Sequence, residues 1–229
     1  SVQIRTVHSA GALVQLQVEV RRGEHPDWFA VHAGDCRLLS RRELIVDASG
    51  RWQALRILTE EQEQIRPYNP PAPIIRYPTR PQGPIVGHID SGIDYRRIDF
   101  QAHFLADSLG NWRARDAWDG DQQPFDLDLG RSPLFPREHG SRVLDVLLQK
   151  NRKLSVIPLR YPRPQIETLG SHVRWLIDSG ARLIMLPMGS TRASDWDSLQ
   201  PVIEAHPNVA FVLSAGNDGS DLANRPVYP

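Results

Sequence analysis

The pattern of apolar and polar positions in the first part of the chain is typical of strands. Residues 14–20 alternate strictly between apolar and polar side chains, which is the period of a half-buried strand. Residues 44–58 place two apolar runs on either side of an Asp-Ala-Ser-Gly turn and predict a β-hairpin. Thr59 followed by Gln62 resembles a capping box and predicts a short helix. Residues 1–65 are therefore predicted to form a small β-rich region.

A proline-rich stretch over residues 66–84 separates this region from the rest of the chain. Proline removes backbone donors and favours extended chain, so the stretch is predicted to be a linker or a strap over the next domain. Apolar runs of strand length then alternate with helical stripes, the strands at 85–89, 154–159, 183–188 and 209–213 and the stripes at 143–148, 166–177 and 199–203. This order predicts an α/β fold over residues 85–229, with a doubly wound parallel sheet covered on both faces.

Candidate functional residues follow the strands, because the crevice of such a sheet lies outside the strands' carboxyl ends. Asp90 comes directly after the first strand, in a turn that also fits the phosphate loop of an actin-like ATPase or an ordinary capped turn. His139 stands where a helix begins and is a candidate base, although a lone histidine is more often structural. Asn217 follows the last strand and can aim an amide donor into the crevice, or simply form a turn.

Taken in order, these motifs resemble those of the subtilases, the subtilisin-like serine proteases. The matching segments are the aspartate motif at 86–94, the histidine motif at 139–143, the specificity-pocket strand at 183–190 and the oxyanion motif at 209–219. The resemblance implies a subtilisin-like fold and a serine endopeptidase that acts on protein or peptide substrates. It implies that Asp90 and His139 are catalytic, with His139 as the base, and that Asn217 belongs to the oxyanion hole.

The resemblance also implies further binding residues. The substrate cleft would be bordered by Met188, Gly189, Ser214, Ala215 and Gly216. The chemistry requires no cofactor, but Asp99 falls where a family aspartate commonly helps bind calcium, so a structural calcium ion is an option. Residues 100–138 contain further aspartates without an EF-hand pattern, and we expect them to form a solvated acidic loop rather than a calcium cluster. These aspartates are Asp116, Asp119, Asp121, Asp126 and Asp128.

The resemblance breaks down at the nucleophile. Subtilases carry their serine in a Gly-Thr-Ser motif well after the oxyanion asparagine, and no such motif occurs here. We therefore expect the chain to be the N-terminal part of a protease domain, incomplete at its C-terminus, whose serine lies on a C-terminal segment of the same precursor. The alternative is a catalytically inactive, subtilase-derived protein that binds peptides or a partner. Arg142 and Pro187 also depart from the family motifs and leave substrate preference open.

The composition of the chain bears on its possible partners and on its compartment. Lys and Arg number 27, as do Asp and Glu, so we expect neither nucleic acid nor a membrane as partner. No apolar run approaches membrane-spanning length and no signal peptide is visible, which is compatible with a cytoplasmic or a secreted protein.

Cysteine and metal chemistry are not indicated by the sequence. The single cysteine, Cys36, excludes an intrachain disulfide and lacks the surroundings of a catalytic cysteine. Zinc hydrolysis is disfavoured because no His-Glu-x-x-His motif occurs, and the second phosphate loop of an ATPase is not found. Residues 1–65 remain open between an inhibitory pro-segment and an accessory binding domain.

Overall fold

The structure, a computed structural model, describes residues 1–74, 76–130, 132–161, 165–217, 219 and 221–228. Over these residues the chain forms a six-stranded antiparallel sheet and then a five-stranded parallel sheet with helices, so the predicted α/β character is confirmed. The chain divides into two compact units, Ser1–Pro70 with Asp128–Pro136, and Pro71–Leu127 with Arg137–Pro229.

The first unit is an antiparallel meander whose strands pair in chain order. Its strands are β1 (Val2–Ser9), β2 (Ala12–Arg22), β3 (His25–Ala33), β4 (Leu38–Val46), β5 (Trp52–Thr59) and β6 (Glu63–Pro67). The alternating residues 14–20 lie in β2, and β4 pairs with β5 as the predicted hairpin. Val46 stands opposite Trp52 at the end of that hairpin.

The prediction of a short helix after Thr59 is wrong, because this segment forms a turn and then β6. The backbone N–H of Thr59 donates to the carbonyl of Gln62 at 2.9 Å, which closes a turn between β5 and β6. The N–H of Gln62 donates to the hydroxyl of Thr59 at 3.2 Å. The same side-chain bond that caps a helix can therefore close a hairpin, because residues 63–67 are drawn into pairing with β5.

A segment distant in sequence completes the first unit. Residues 128–136 belong to it, and the hydroxyl of Tyr68 donates to the carbonyl of Pro133 at 2.7 Å. The rings of Phe29 and Phe135 meet edge to face with their centroids 5.0 Å apart. The sequence pattern gives no sign of this return, because the contacts join residues separated by many positions.

The second unit is built on the parallel sheet, in the order β11-β10-β7-β9-β8. Its strands are β7 (Ile85–Asp90), β8 (Arg115–Asp116), β9 (Ser155–Arg160), β10 (Leu183–Leu186) and β11 (Ala210–Leu213). The helices are α1 (Ile98–Gln101), α2 (Gly140–Lys150), α3 (Leu169–Asp178) and α4 (Gln200–Ala205). Parts of the proline-rich stretch lie on this unit, where Tyr77 is buried against Phe104.

Strand β7 lies inside the sheet and presents its two faces to different helices. A Cβ at Gly87 would lie 3.0 Å from Leu176 of α3, so this face of β7 packs under α3. His88 and Asp90 point to the opposite face, where they contact Gly140 and His139 at the start of α2. Successive strand residues alternate between faces, so this arrangement brings Asp90 to α2.

Strand β11 lies at one edge of the parallel sheet. Val212 and Leu213 are exposed to 46% and 36%, unlike the buried β7 and β9. Across the part of the chain that the structure describes, no helix has the length and apolar character needed to cross a bilayer.

A buried ion pair joins β9 and β8, at the end of the sheet opposite β11. Arg160, at the end of β9, donates to Asp116 at 2.9 Å and to Asp119 at 2.7 Å. It also donates to the carbonyl of Leu127 at 2.7 Å, and Arg160 is 1% exposed. Burial raises the pKa of Asp116, while the Arg160 guanidinium acts in the opposite direction.

We expect Arg160→Leu to lower the free energy of unfolding by about 3–5 kcal/mol, because the Asp116 carboxylate would remain buried without its cation. Urea unfolding of the 229-residue chain at pH 7 measures the change. Asp116→Asn added to Arg160→Leu should recover part of the loss, since a neutral amide then replaces the buried carboxylate that Arg160 had paired with. Arg152→Leu, at an exposed position, is the matched control. A loss from Arg160→Leu no larger than that of the control would contradict the expectation.

Candidate active site

Asp90 ends β7 at the carboxyl edge of the sheet and is 4% exposed. The backbone N–H of Ser91 donates to Asp90 Oδ1 at 2.7 Å. The chain can turn away at once because Gly92 adopts φ +111°, a conformation that side chains rarely tolerate. A Cβ at Gly92 would also lie 2.3 Å from the carbonyl oxygen of Phe125. The turn therefore leaves the Asp90 carboxylate facing the start of α2.

His139 immediately precedes α2 and points its ring at this carboxylate. Its Nδ1 lies 2.8 Å from Asp90 Oδ1 and 3.0 Å from Oδ2. The carboxylate accepts, so Nδ1 carries the proton and, in the neutral ring, Nε2 holds the free lone pair. The His139 side chain is 54% exposed against 5% for Asp90, and Nε2 bonds to no described residue. The pair thus has a buried anion and an accessible basic nitrogen.

Gly140 allows α2 to approach β7 this closely. A Cβ at Gly140 would lie 2.0 Å from the carbonyl oxygen of Gly92 and 2.9 Å from the Cβ of Asp90. Real Cβ atoms do not come this near to backbone oxygen, so any side chain here would push the helix away from the strand. The Gly in the His-Gly dipeptide is therefore needed for the contact between His139 and Asp90.

The electrostatics of the pair favour a protonated imidazole. The hydrogen bond to Asp90 is the largest cause that raises the pKa of His139 above its ordinary 6.5. The negative charges of Asp90 and Asp126 raise it further, whereas partial burial and the Arg142 guanidinium lower it. A base of this kind takes up a proton readily near neutral pH, and Asp90 stabilises the imidazolium that results.

Asp116 and Asp126 do not lie in a solvated acidic loop, so the expectation from the sequence is wrong for both. Each is 1% exposed. Asp126 Oδ1 accepts from the Ser91 hydroxyl at 2.6 Å, and Oδ2 accepts from the backbone N–H of Ser141 at 2.7 Å. Both chain neighbours of Asp126, Phe125 and Leu127, are buried as well.

His88 lies beneath the first turn of α2 and is 1% exposed. Its Nε2 lies 3.1 Å from the carbonyl oxygen of Gly140, so Nε2 carries the proton and the buried Nδ1 is left without a partner. Burial lowers the pKa of His88 and keeps its ring neutral. His88 therefore supports α2 from below and does not reach the accessible side of the site.

The predicted substrate and oxyanion residues lie at the same edge of the sheet, but among the described residues none of them forms a hydrogen bond with Asp90 or His139. Asn217 is exposed beyond the end of β11, two strands from β7, or about 10 Å at ordinary strand spacing. The N–H of Gly216 donates to the Ser214 hydroxyl at 3.2 Å, and Ala215 lies exposed between them.

Met188 and Gly189 follow β10, the strand between β7 and β11. A Cβ at Gly189 would lie 2.9 Å from both the carbonyl oxygen of Tyr228 and the side chain of Val227. The backbones of Ser190 and Tyr228 exchange two hydrogen bonds of 2.8 and 3.0 Å. The loop after β10 is therefore held by residues that come after β11 in the chain.

The surroundings of Asp99 do not fit a calcium site. Both of its carboxylate oxygens accept from the Arg97 guanidinium, which also donates to Asp145 at 3.0 Å. Among the described residues, no group of three or more His, Cys, Asp or Glu is placed to hold a metal ion. A guanidinium occupies the position that a cation would need.

Comparison with known proteins gives no assignment: no family model matches the chain, and no curated protein matches it.

Proposed function

We propose that this chain carries the aspartate and histidine of a subtilase-type serine endopeptidase. The observation that supports the proposal most strongly is the 2.8 Å contact from His139 Nδ1 to Asp90, with Nε2 accessible. A purely structural ion pair gains little from an exposed imidazole, whereas a general base needs an accessible nitrogen. The parallel sheet supports the proposal too, because it gathers the ends of β7, β10 and β11 at one edge.

The proposed chemistry follows from the two nitrogens of the ring. A serine hydroxyl within hydrogen-bond reach of Nε2 would give up its proton to His139 as it attacks the peptide carbonyl. Asp90 holds Nδ1 protonated and stabilises the imidazolium. Nε2 then returns the proton to the departing amine. Asn217 would donate its amide N–H to the tetrahedral oxyanion, which is the role of the residue it resembles.

The nucleophile would come from a C-terminal segment of the same precursor, which would also complete the subtilisin-like fold. Among the described residues, no hydroxyl or thiol bonds to His139 Nε2. Among the described residues β11 is the last strand of the sheet, so its outer edge, with the exposed Val212 and Leu213, could pair with such a segment. Residues 188–189 and 214–216 would then border the cleft for the peptide.

The pH dependence of peptide hydrolysis tests the proposal. We expect kcat/KM of the full-length gene product on a quenched peptide to rise with pH through the pKa of His139, because a protonated imidazole cannot accept the serine proton. The midpoint of this acid limb should lie above 6.5, since Asp90 raises that pKa. A folded product that binds the peptide without cleaving it at any pH would instead support the inactive binding protein.

A further inference from the structure

The first turn of α2 is capped by residues that lie far away in the sequence. His139, at its N-terminus, makes no side-chain cap of its own. Instead, the Ser91 hydroxyl oxygen accepts from the backbone N–H of His139 at 3.1 Å and of Gly140 at 3.0 Å. The N–H of Ser141 donates to Asp126 at 2.7 Å. Three amides that a helix leaves unsatisfied are thus bound from outside.

Asp126 is the charged end of this network. The Ser91 hydroxyl accepts two amide N–H groups and donates its own proton to Asp126 at 2.6 Å. Both carboxylate oxygens are therefore acceptors. Burial raises the pKa of Asp126, whereas the hydrogen bonds from Ser141 and Ser91 lower it and favour the charged form. A negative charge at a helix N-terminus is favoured by the helix dipole, and this one is buried, so water screens it little.

The same network touches both members of the candidate dyad. Ser91 follows Asp90 directly and gives its backbone N–H to the Asp90 carboxylate at 2.7 Å, while its hydroxyl binds the backbone of His139. The Asp90 side chain thus binds the ring of His139, and the Ser91 side chain binds the backbone of His139. Any shift of Ser91 would move the imidazole relative to Asp90.

We propose that Asp126 is a positioning residue for His139, because it anchors both Ser91 and the first turn of α2. Its catalytic consequence rests on the proposed function, but the positioning does not. The charged groups that act on His139 are Asp90 and Asp126, which favour its protonation, and Arg142, which opposes it. His88, beneath the start of α2, is kept neutral by burial and carries no charge against the ring.

The test is the pKa of His139, read by NMR on the 229-residue chain with ¹³C-labelled histidine. We expect Asp126→Asn to lower this pKa by roughly 0.5–1 unit, because a negative charge near the ring is removed. Asp178→Asn removes a carboxylate from the exposed end of α3 and should leave the His139 pKa unchanged. An unchanged His139 pKa in a folded Asp126→Asn chain would overturn the proposal.

A second variant keeps the proposal testable if Asp126→Asn does not fold. Ser91→Ala retains the Asp126 charge but removes the bridge, so we expect the downfield signal of the His139 Nδ1 proton to broaden or shift as the ring loses its fixed position. A signal unchanged from the wild type would contradict the positioning role. Neither readout needs substrate, so a lack of peptidase activity would count against the proposed function and not against this inference.

Discussion

We expect replacement of His139 with alanine to lower kcat of the full-length gene product by about 10⁶-fold, the magnitude known for loss of the base in subtilisin. The serine hydroxyl is a weak nucleophile, and His139 Nε2 is the described nitrogen placed to take its proton. Asp90 cannot replace the ring, because it is buried behind it. The residual rate would come from substrate binding and the oxyanion hole alone.

Steady-state hydrolysis of a quenched peptide measures this effect. His206→Ala is the matched control, because it removes a histidine from the end of α4, where His206 Nδ1 lies 2.7 Å from the carbonyl oxygen of Val202. The control variant should keep its activity. Equal rates for His139→Ala and the control would show that His139 is not the base.

The second largest effect is expected at Asp90. Asp90→Asn should lower kcat by about 10⁴-fold while leaving the fold intact. An asparagine amide can donate to Nδ1, which leaves the proton on Nε2, so the ring would present the wrong tautomer to the serine. The remaining basic population would also have a lower pKa, because the bond to Asp90 is the main cause that raises it.

Two measurements separate the loss of activity in Asp90→Asn from the change in the His139 pKa. The kinetic loss is read on the full-length gene product, and the His139 pKa is read by NMR on the 229-residue chain. Asp178→Asn serves as the control for both, since its carboxylate is exposed. Retention of nearly full activity by Asp90→Asn, or a His139 pKa that does not fall, would be incompatible with a dyad.

Strands and helices with a strong apolar pattern could be predicted from the sequence. The run at 85–89 is buried on both faces in β7, and the alternation at 14–20 corresponds to β2. Strand β1 was not predicted, and it pairs with β2 although it is exposed along its whole length. Thr59 shows the limit of local signals, because one side-chain bond suits a helix cap or a hairpin turn.

Some residues of the candidate site could likewise be predicted from the sequence, and others could not. Asp90 and His139 could be named because each follows a strand or begins a helix, and the structure brings them into contact. Asp126 could not be predicted as a site residue, because its hydrogen-bond partners Ser91 and Ser141 lie 35 and 15 positions away in the sequence. An aspartate in a long polar loop is usually solvated, and partners that distant are not visible in a local pattern.

The central claim is that the Asp90–His139 pair activates a serine. Mass spectrometry of the full-length gene product after treatment with a fluorophosphonate probe tests it most directly. We expect one modified serine, in a Gly-Thr-Ser-like segment, with modification lost in His139→Ala. A folded wild-type protein that forms no adduct, or one whose adduct forms equally in His139→Ala, would contradict the serine-protease proposal and leave a peptide- or partner-binding protein.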